Sequence, residues 1–190
     1  MQTAYLRFYG SLNDFLPRRR QGVTVEHTFA GRVAVKDMIE SLGAPHPEIE
    51  LILADGEAVA FSYLVQAGNR ISVYPFFESL DLSPLLRVRP APLAEARFVL
   101  DTHLGRLTAY LRLLGFDVRY RNDYDDDELA QIASSEKRIL LTRDRGLLKR
   151  SVVTHGYCLR NANPRRQLVE VARRFDLAKT ARPFQRCVHC

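Results

Sequence analysis

A chain of 190 residues, 46% hydrophobic and 26% charged, suits one domain or two small ones with buried cores. No apolar run reaches membrane-spanning length, and Met1-Gln2-Thr3-Ala4 has no basic stretch leading into an apolar one, so a soluble, cytoplasmic protein is expected rather than a membrane or exported one. Three cysteines exclude a disulfide framework, and the net charge of +6 is uneven: residues 97–190 hold 19 lysines and arginines against 11 acids, residues 1–75 hold 7 against 8.

In chain order, Ala4–Tyr9 alternates and predicts a strand. The basic, turn-rich run Pro17-Arg18-Arg19-Arg20-Gln21-Gly22 follows, then a second strand at about Val23–Phe29. Val35, Ile39 and Leu42 recur at helical spacing, and Gly43 stops that helix. Glu50–Leu53 predicts a strand, Ala54-Asp55-Gly56-Glu57 a hairpin-type turn, and Arg70–Tyr74 a last strand. The order ββαββ fits an α+β β-grasp domain over residues 1–78. Prolines 75, 84, 90 and 92 interrupt any periodicity, so residues 79–96 are assigned to a linker.

From Arg97 the pattern becomes strand–helix alternation. Arg97–Leu100 is a short apolar strand, and Leu104, Leu107, Leu111 and Leu114 form one helical stripe ended by Gly115. Strands follow at Phe116–Tyr120, Arg138–Thr142 and Tyr157–Arg160, with helices at Asp126–Ser134 and Gly146–Arg150. Asn163-Pro164 opens a last helix, with Asn as N-cap and Pro in the first turn. Repeated βα units with apolar strands predict an α/β domain with a mainly parallel sheet over residues 97–190.

This topology places three acids at the carboxyl ends of strands, where such sheets bind ligands. Asp101 follows the first strand, Asp126 ends the loop after the second, and Asp144 follows the third. Carboxylates crowded on one rim repel one another, and a hard divalent cation such as Mg²⁺ or Mn²⁺ relieves that repulsion. Each acid also has a plain structural reading as a cap of its following helix, Asp126 most of all. Arg106, Arg143, Arg145 and Lys149 surround the rim, as a phosphodiester substrate would require; an ordinary solvated basic surface is the alternative.

Several of these stretches, in order, carry a resemblance. Arg97-Phe98-Val99-Leu100-Asp101-Thr102-His103-Leu104-Gly105-Arg106-Leu107, with Leu111–Asp117, resembles the opening of the Mut-seven C-terminal ribonuclease domain family. Arg138–Leu148 resembles its second signature, and Gln167-Leu168 and Arg186-Cys187-x-x-Cys190 its later landmarks. The resemblance implies a PIN-like fold and a metal-dependent ribonuclease, with the family's acids falling on Asp101 and Asp144 and less directly on Asp126. Residues 1–78 resemble the ubiquitin-like, sulfur-carrier-like domain that precedes such nucleases, through Gly43–Glu48 and Ile71–Pro75. A sulfur carrier ends in Gly-Gly, whereas this chain continues through Pro75-Phe76-Phe77, so a docking or RNA-orienting role, with a protein partner, is the reading for that domain.

Two departures from the family pattern bear on the site. Where PIN-like sites add a fourth acid this chain has Asn161 and Asn163, so one held ion is expected. Cys187 and Cys190 supply half of a four-ligand zinc site, which His189 or a second chain would have to complete. The sequence thus predicts hydrolysis of RNA phosphodiesters, with Asp101, Asp126 and Asp144 holding Mg²⁺ or Mn²⁺. Arg106, Arg143, Arg145 and Lys149 hold the backbone, and Arg112 supports the site from behind. An RNA-binding module with an inactive site and a ubiquitin-like interaction protein are the alternatives.

Overall fold

In the computed structural model, which describes residues 1–76, 88, 93 and 95–187, the chain forms two compact units, Met1–Pro90 and Ala91–Cys190. Most of the expected linker, together with His189 and Cys190, lies outside the described residues.

The first unit is a β-grasp. Strands β1 (Gln2–Phe8) and β2 (Val25–Phe29) form a hairpin, helix α1 (Val35–Leu42) follows, and β3 (Ile49–Ala54), β4 (Glu57–Ala58) and β5 (Arg70–Pro75) complete a sheet of order β2-β1-β5-β3-β4. Central β1 and β5 are parallel, and the other pairings are antiparallel. Alternation buries Ala4, Leu6, Phe8, Ile71 and Val73 with Val35, Met38, Ile39 and Leu42 of α1. Two differences from expectation are local. Val23 is exposed and β2 begins two residues later; the two-residue β4 is too short to leave a periodic signal.

The second unit is a four-stranded, all-parallel sheet of order β7-β6-β8-β9, built from β6 (Arg97–Leu100), β7 (Asp117–Arg119), β8 (Ile139–Thr142) and β9 (Gly156–Cys158). Phe98, Leu100, Ile139 and Leu141 pack with Leu107 and Leu111 of α2 (Gly105–Leu113) and Val171 of α5 (Pro164–Arg174). Val99 and Leu140 alternate to the other face, which α3 (Asp126–Ser135) and α4 (Arg145–Leu148) cover. Both faces are therefore buried, which is why these strands read as continuous apolar runs.

Gly115 ends α2 with φ +91°, and a Cβ there would clash with the Arg182 carbonyl oxygen. The tail is held at this point, because Arg182 N donates to Leu114 O and Phe184 N to Leu113 O. Gly115→Ala combines left-handed backbone strain with that clash and should cost about 2–3 kcal/mol of stability in denaturant unfolding. A loss below about 0.5 kcal/mol would mean that the tail is not seated there.

Candidate functional site

Chain order and sheet order together create a crevice. From β6 the chain moves to β7 on one side and then to β8 on the other, so the connections diverge between β6 and β8. At such a switch point the carboxyl ends of the strands leave an opening for a ligand. Asp101 directly follows β6 and Asp144 lies two residues beyond the end of β8, so both flank this opening.

One hydroxyl ties the two together. Thr142, fully buried as the last residue of β8, donates from Oγ1 to Asp101 Oδ2 at 2.6 Å and accepts from Asp144 N at 2.9 Å. Asp101 Oδ1 also accepts from the Thr102 hydroxyl at 3.2 Å, and the Asp101 amide continues the sheet by donating to Leu141 O. Asp144 caps α4, its Oδ1 accepting from Gly146 N at 2.6 Å and Leu147 N at 3.4 Å. Fixed in this way, Asp101 and Asp144 have no ion-pair partner among the described residues. Thr142 was not singled out by the sequence. The signal was a hydroxyl ending an apolar strand, two positions before the acid.

Thr102 and Arg143, the chain neighbours of Asp101 and Asp144, line a cavity of about 370 Å³ together with Arg106, Tyr120, Ala162 and Gln167. Arg106 and Arg143 are exposed and form no ion pair among the described residues. Tyr120 braces the wall: its hydroxyl donates to Thr102 O at 2.7 Å and lies where a Cβ on Gly105 would fall, 2.8 Å away. Only glycine permits that approach.

Other expected residues stand differently. Asp126 is exposed in the first turn of α3, but the cap is Asp125, which forms a reciprocal capping box with Glu128. Among the described residues no three His, Cys, Asp or Glu side chains gather as a metal-binding group, so Asp101, Asp126 and Asp144 do not form a ready three-acid site. Neighbouring Asp127 pairs with Arg150. Arg145 is exposed and Lys149 half-buried, and each is engaged in further interactions. Arg112 donates to Val118 O at 3.1 Å and lines a different cavity, along β7. Asn163 caps α5. Asn161 is held by Glu170, whose carboxylate accepts from Asn161 Nδ2, the amides of Arg160 and Asn161, and the Tyr157 hydroxyl. Glu170 is thus an acid occupied in fixing a loop. Cys187 is exposed, whereas its expected partner Cys190 lies outside the described residues.

At the amino ends of the strands sits an ionic cluster of another kind. Arg138, only 5% exposed, donates to Glu136 at 2.6 Å, to Asp117 at 2.7 Å and to Phe98 O at 3.3 Å. Burial alone would raise the Asp117 carboxyl, but the hydrogen bond and charge of Arg138 outweigh it and hold it below its ordinary value. For Glu136 the hydrogen bond from Arg138 dominates, and its carboxyl is lowered too. Arg119 also donates to Glu136 at 3.3 Å, and the cluster ties the amino ends of three strands together as a structural clip.

Comparison with known proteins gives the following. The family model described as Mut7-C RNAse domain matches residues 96–190, and that described as Mut7-C ubiquitin matches residues 1–81. Two solved structures resemble the chain, H. volcanii small archaeal modifier protein 1 and SAMP1 from Haloferax volcanii. Each has 20% sequence identity and a TM-score of 0.32, over 40% of this chain and 98% of the other. No curated protein matches. Among the described residues no helix is long and apolar enough to cross a membrane.

Proposed function

The chain belongs to the Mut7-C RNAse domain family, and from that premise we propose that the crevice between β6 and β8 hydrolyses RNA phosphodiester bonds with the help of a divalent cation. The observation that carries this reading is the pair of acids Asp101, whose carboxylate Thr142 holds, and Asp144, whose amide donates to the same hydroxyl and whose carboxylate the first turn of α4 holds, both without an ion-pair partner among the described residues. Two carboxylates suit Mg²⁺ or Mn²⁺, because a hard ion is commonly held by one or two carboxylates, several waters and substrate phosphate oxygens. Such an ion supplies charge neutralisation at the phosphate and an acidified water.

The chain's own residues do the rest. Thr142 holds Asp101 in one rotamer, and the first turn of α4 holds Asp144. Arg106 and Arg143 bind the phosphodiester backbone in the adjoining cavity, with Arg145 and Lys149 adding to the positive field. Asp126, in the first turn of α3, would be an outlying third acid near such a cation. Zinc at Cys187 and Cys190, and a protein partner for the ubiquitin-like unit, belong to the same reading as subsidiary roles.

The test is a gel assay of the full chain on labelled single-stranded and structured RNA, with Mn²⁺ or with EDTA. Cleavage should require the metal. In parallel, saturating Mg²⁺ should raise the melting temperature, since ligand at 100 times its Kd contributes about 2.7 kcal/mol. Asp144→Asn should remove that shift while the protein stays folded. Cleavage undiminished in EDTA would remove the cation from the mechanism. That no third acid gathers with these two among the described residues favours one rival, an RNA-binding module without turnover. RNA binding with no cleavage in any divalent metal would establish it.

A further inference from the structure

A second cavity of about 510 Å³ runs along β7, the edge strand of the parallel sheet. Its lining includes Arg112, Arg119, Tyr120, Arg121, Tyr124 and Arg186. Tyr120 lines both this cavity and the one beside Asp101 and Asp144, so the two adjoin at the carboxyl rim. Of the acids near the groove, Asp117 and Glu136 pair with Arg138, with Arg119 also on Glu136, Asp123 pairs with Arg121, and Glu128 acts on Arg121 as well, against the lining Arg112, Arg119, Arg121, Arg138 and Arg186. Arg186, held by its Nε on Gly115 O at 3.0 Å, has no ion pair among the described residues. The groove therefore carries a positive excess.

We infer that this groove carries the single-stranded RNA that flanks the scissile bond. Three features select that occupant. The guanidiniums of Arg119, Arg121 and Arg186 line the groove, and exposed ion pairs such as Arg121–Asp123 are weak enough for a phosphate to replace the carboxylate. Tyr124 already lies under Arg121, with Cζ 5.0 Å from the ring centroid, an arrangement that accepts an unpaired base in a stack. Bases reach such rings only when unpaired, so a duplex cannot use them. Continuity at Tyr120 then makes the groove an extension of the site, and the preferred substrate is a strand several nucleotides longer than the cut itself.

This inference rests on the proposed hydrolysis, and the experiment keeps the two apart. Full-length protein and the variants Arg121→Gln, Arg186→Gln and Tyr124→Leu are titrated in EDTA against fluorescein-labelled oligouridylates of 3 and 12 nucleotides at several salt concentrations. The same oligomers are then tested for cleavage in Mn²⁺. Each variant should weaken binding of the 12-mer about 3- to 10-fold and leave the 3-mer unchanged. Each arginine variant should also flatten the slope of log affinity against log salt by about 0.7, the value for one lost phosphate contact on a single strand. Unchanged 12-mer binding in all three variants overturns the groove, as it would if the groove served a protein. Equal weakening for both lengths overturns it as well. If no RNA is cut while the length-dependent loss persists, the groove stands and hydrolysis falls.

Discussion

Asp101→Asn should lower the rate of RNA hydrolysis by about 100- to 1,000-fold while leaving the protein folded, the cost of removing one preorganised charged group from a catalytic site. Asn keeps the shape and can still accept from the Thr142 hydroxyl, so the hydrogen bond to β8 survives and only the charge is lost. RNA affinity measured in EDTA should rise slightly or stay constant, since a carboxylate beside a phosphate repels it. Thr142→Val gives the companion result. It removes the hydroxyl that both orients Asp101 and satisfies Asp144 N, without touching the substrate. Loss of about 10- to 100-fold is expected, the range for groups that orient a metal ligand. Its cation affinity should fall as well, which a purely structural role for Thr142 would not produce. Wild-type hydrolysis in folded Asp101→Asn would move the active site away from the crevice between β6 and β8.

Arg138→Met should lower stability by about 2–3 kcal/mol. Removing Arg138 leaves Asp117 without its ion pair and Glu136 with Arg119 alone, although the two acids, each about a third exposed at 31% and 33%, regain part of their hydration. The effect should depend on pH in a defined direction. Both carboxyls lie below their ordinary values of 3.8 and 4.5 in the folded protein. A depressed carboxyl contributes stability that is fully present above its unfolded value and is lost as pH falls through its folded one. The difference between wild type and Arg138→Met should therefore be constant near neutrality and shrink below about pH 4. Denaturant unfolding at pH 7, 5 and 3 measures it. A difference that persists undiminished at pH 3 would show that Arg138 acts through packing rather than through its carboxylates.

The apolar patterns alone carried much of the architecture. Arg97–Leu100 is a strand with the expected bounds, Gly115 stops α2 just past its Leu114 cap and Asn163 caps α5, because strand alternation and capping chemistry are local. Boundaries drifted where local signals compete. The helix expected from Gly146 begins at Arg145 because Asp144 bonds the next turn, and α3 is capped by Asp125 because the reciprocal bond with Glu128 suits that position best.

The sequence by itself determined that two units follow one another, that the second is a parallel α/β sheet, and that Asp101 and Asp144 stand at the carboxyl ends of its strands. Those facts follow from period, turn chemistry and chain order, which need no partner distant in sequence. The tertiary structure alone decided which acids meet. Asp126 has the same local signature as the other two, yet among the described residues the three do not gather as one group, since that depends on where α3 packs rather than on local sequence. Thr142 shows the converse. Nothing adjacent in sequence makes its hydroxyl important; the bond to Asp101, 41 residues away, exists only because β6 and β8 are hydrogen-bonded side by side.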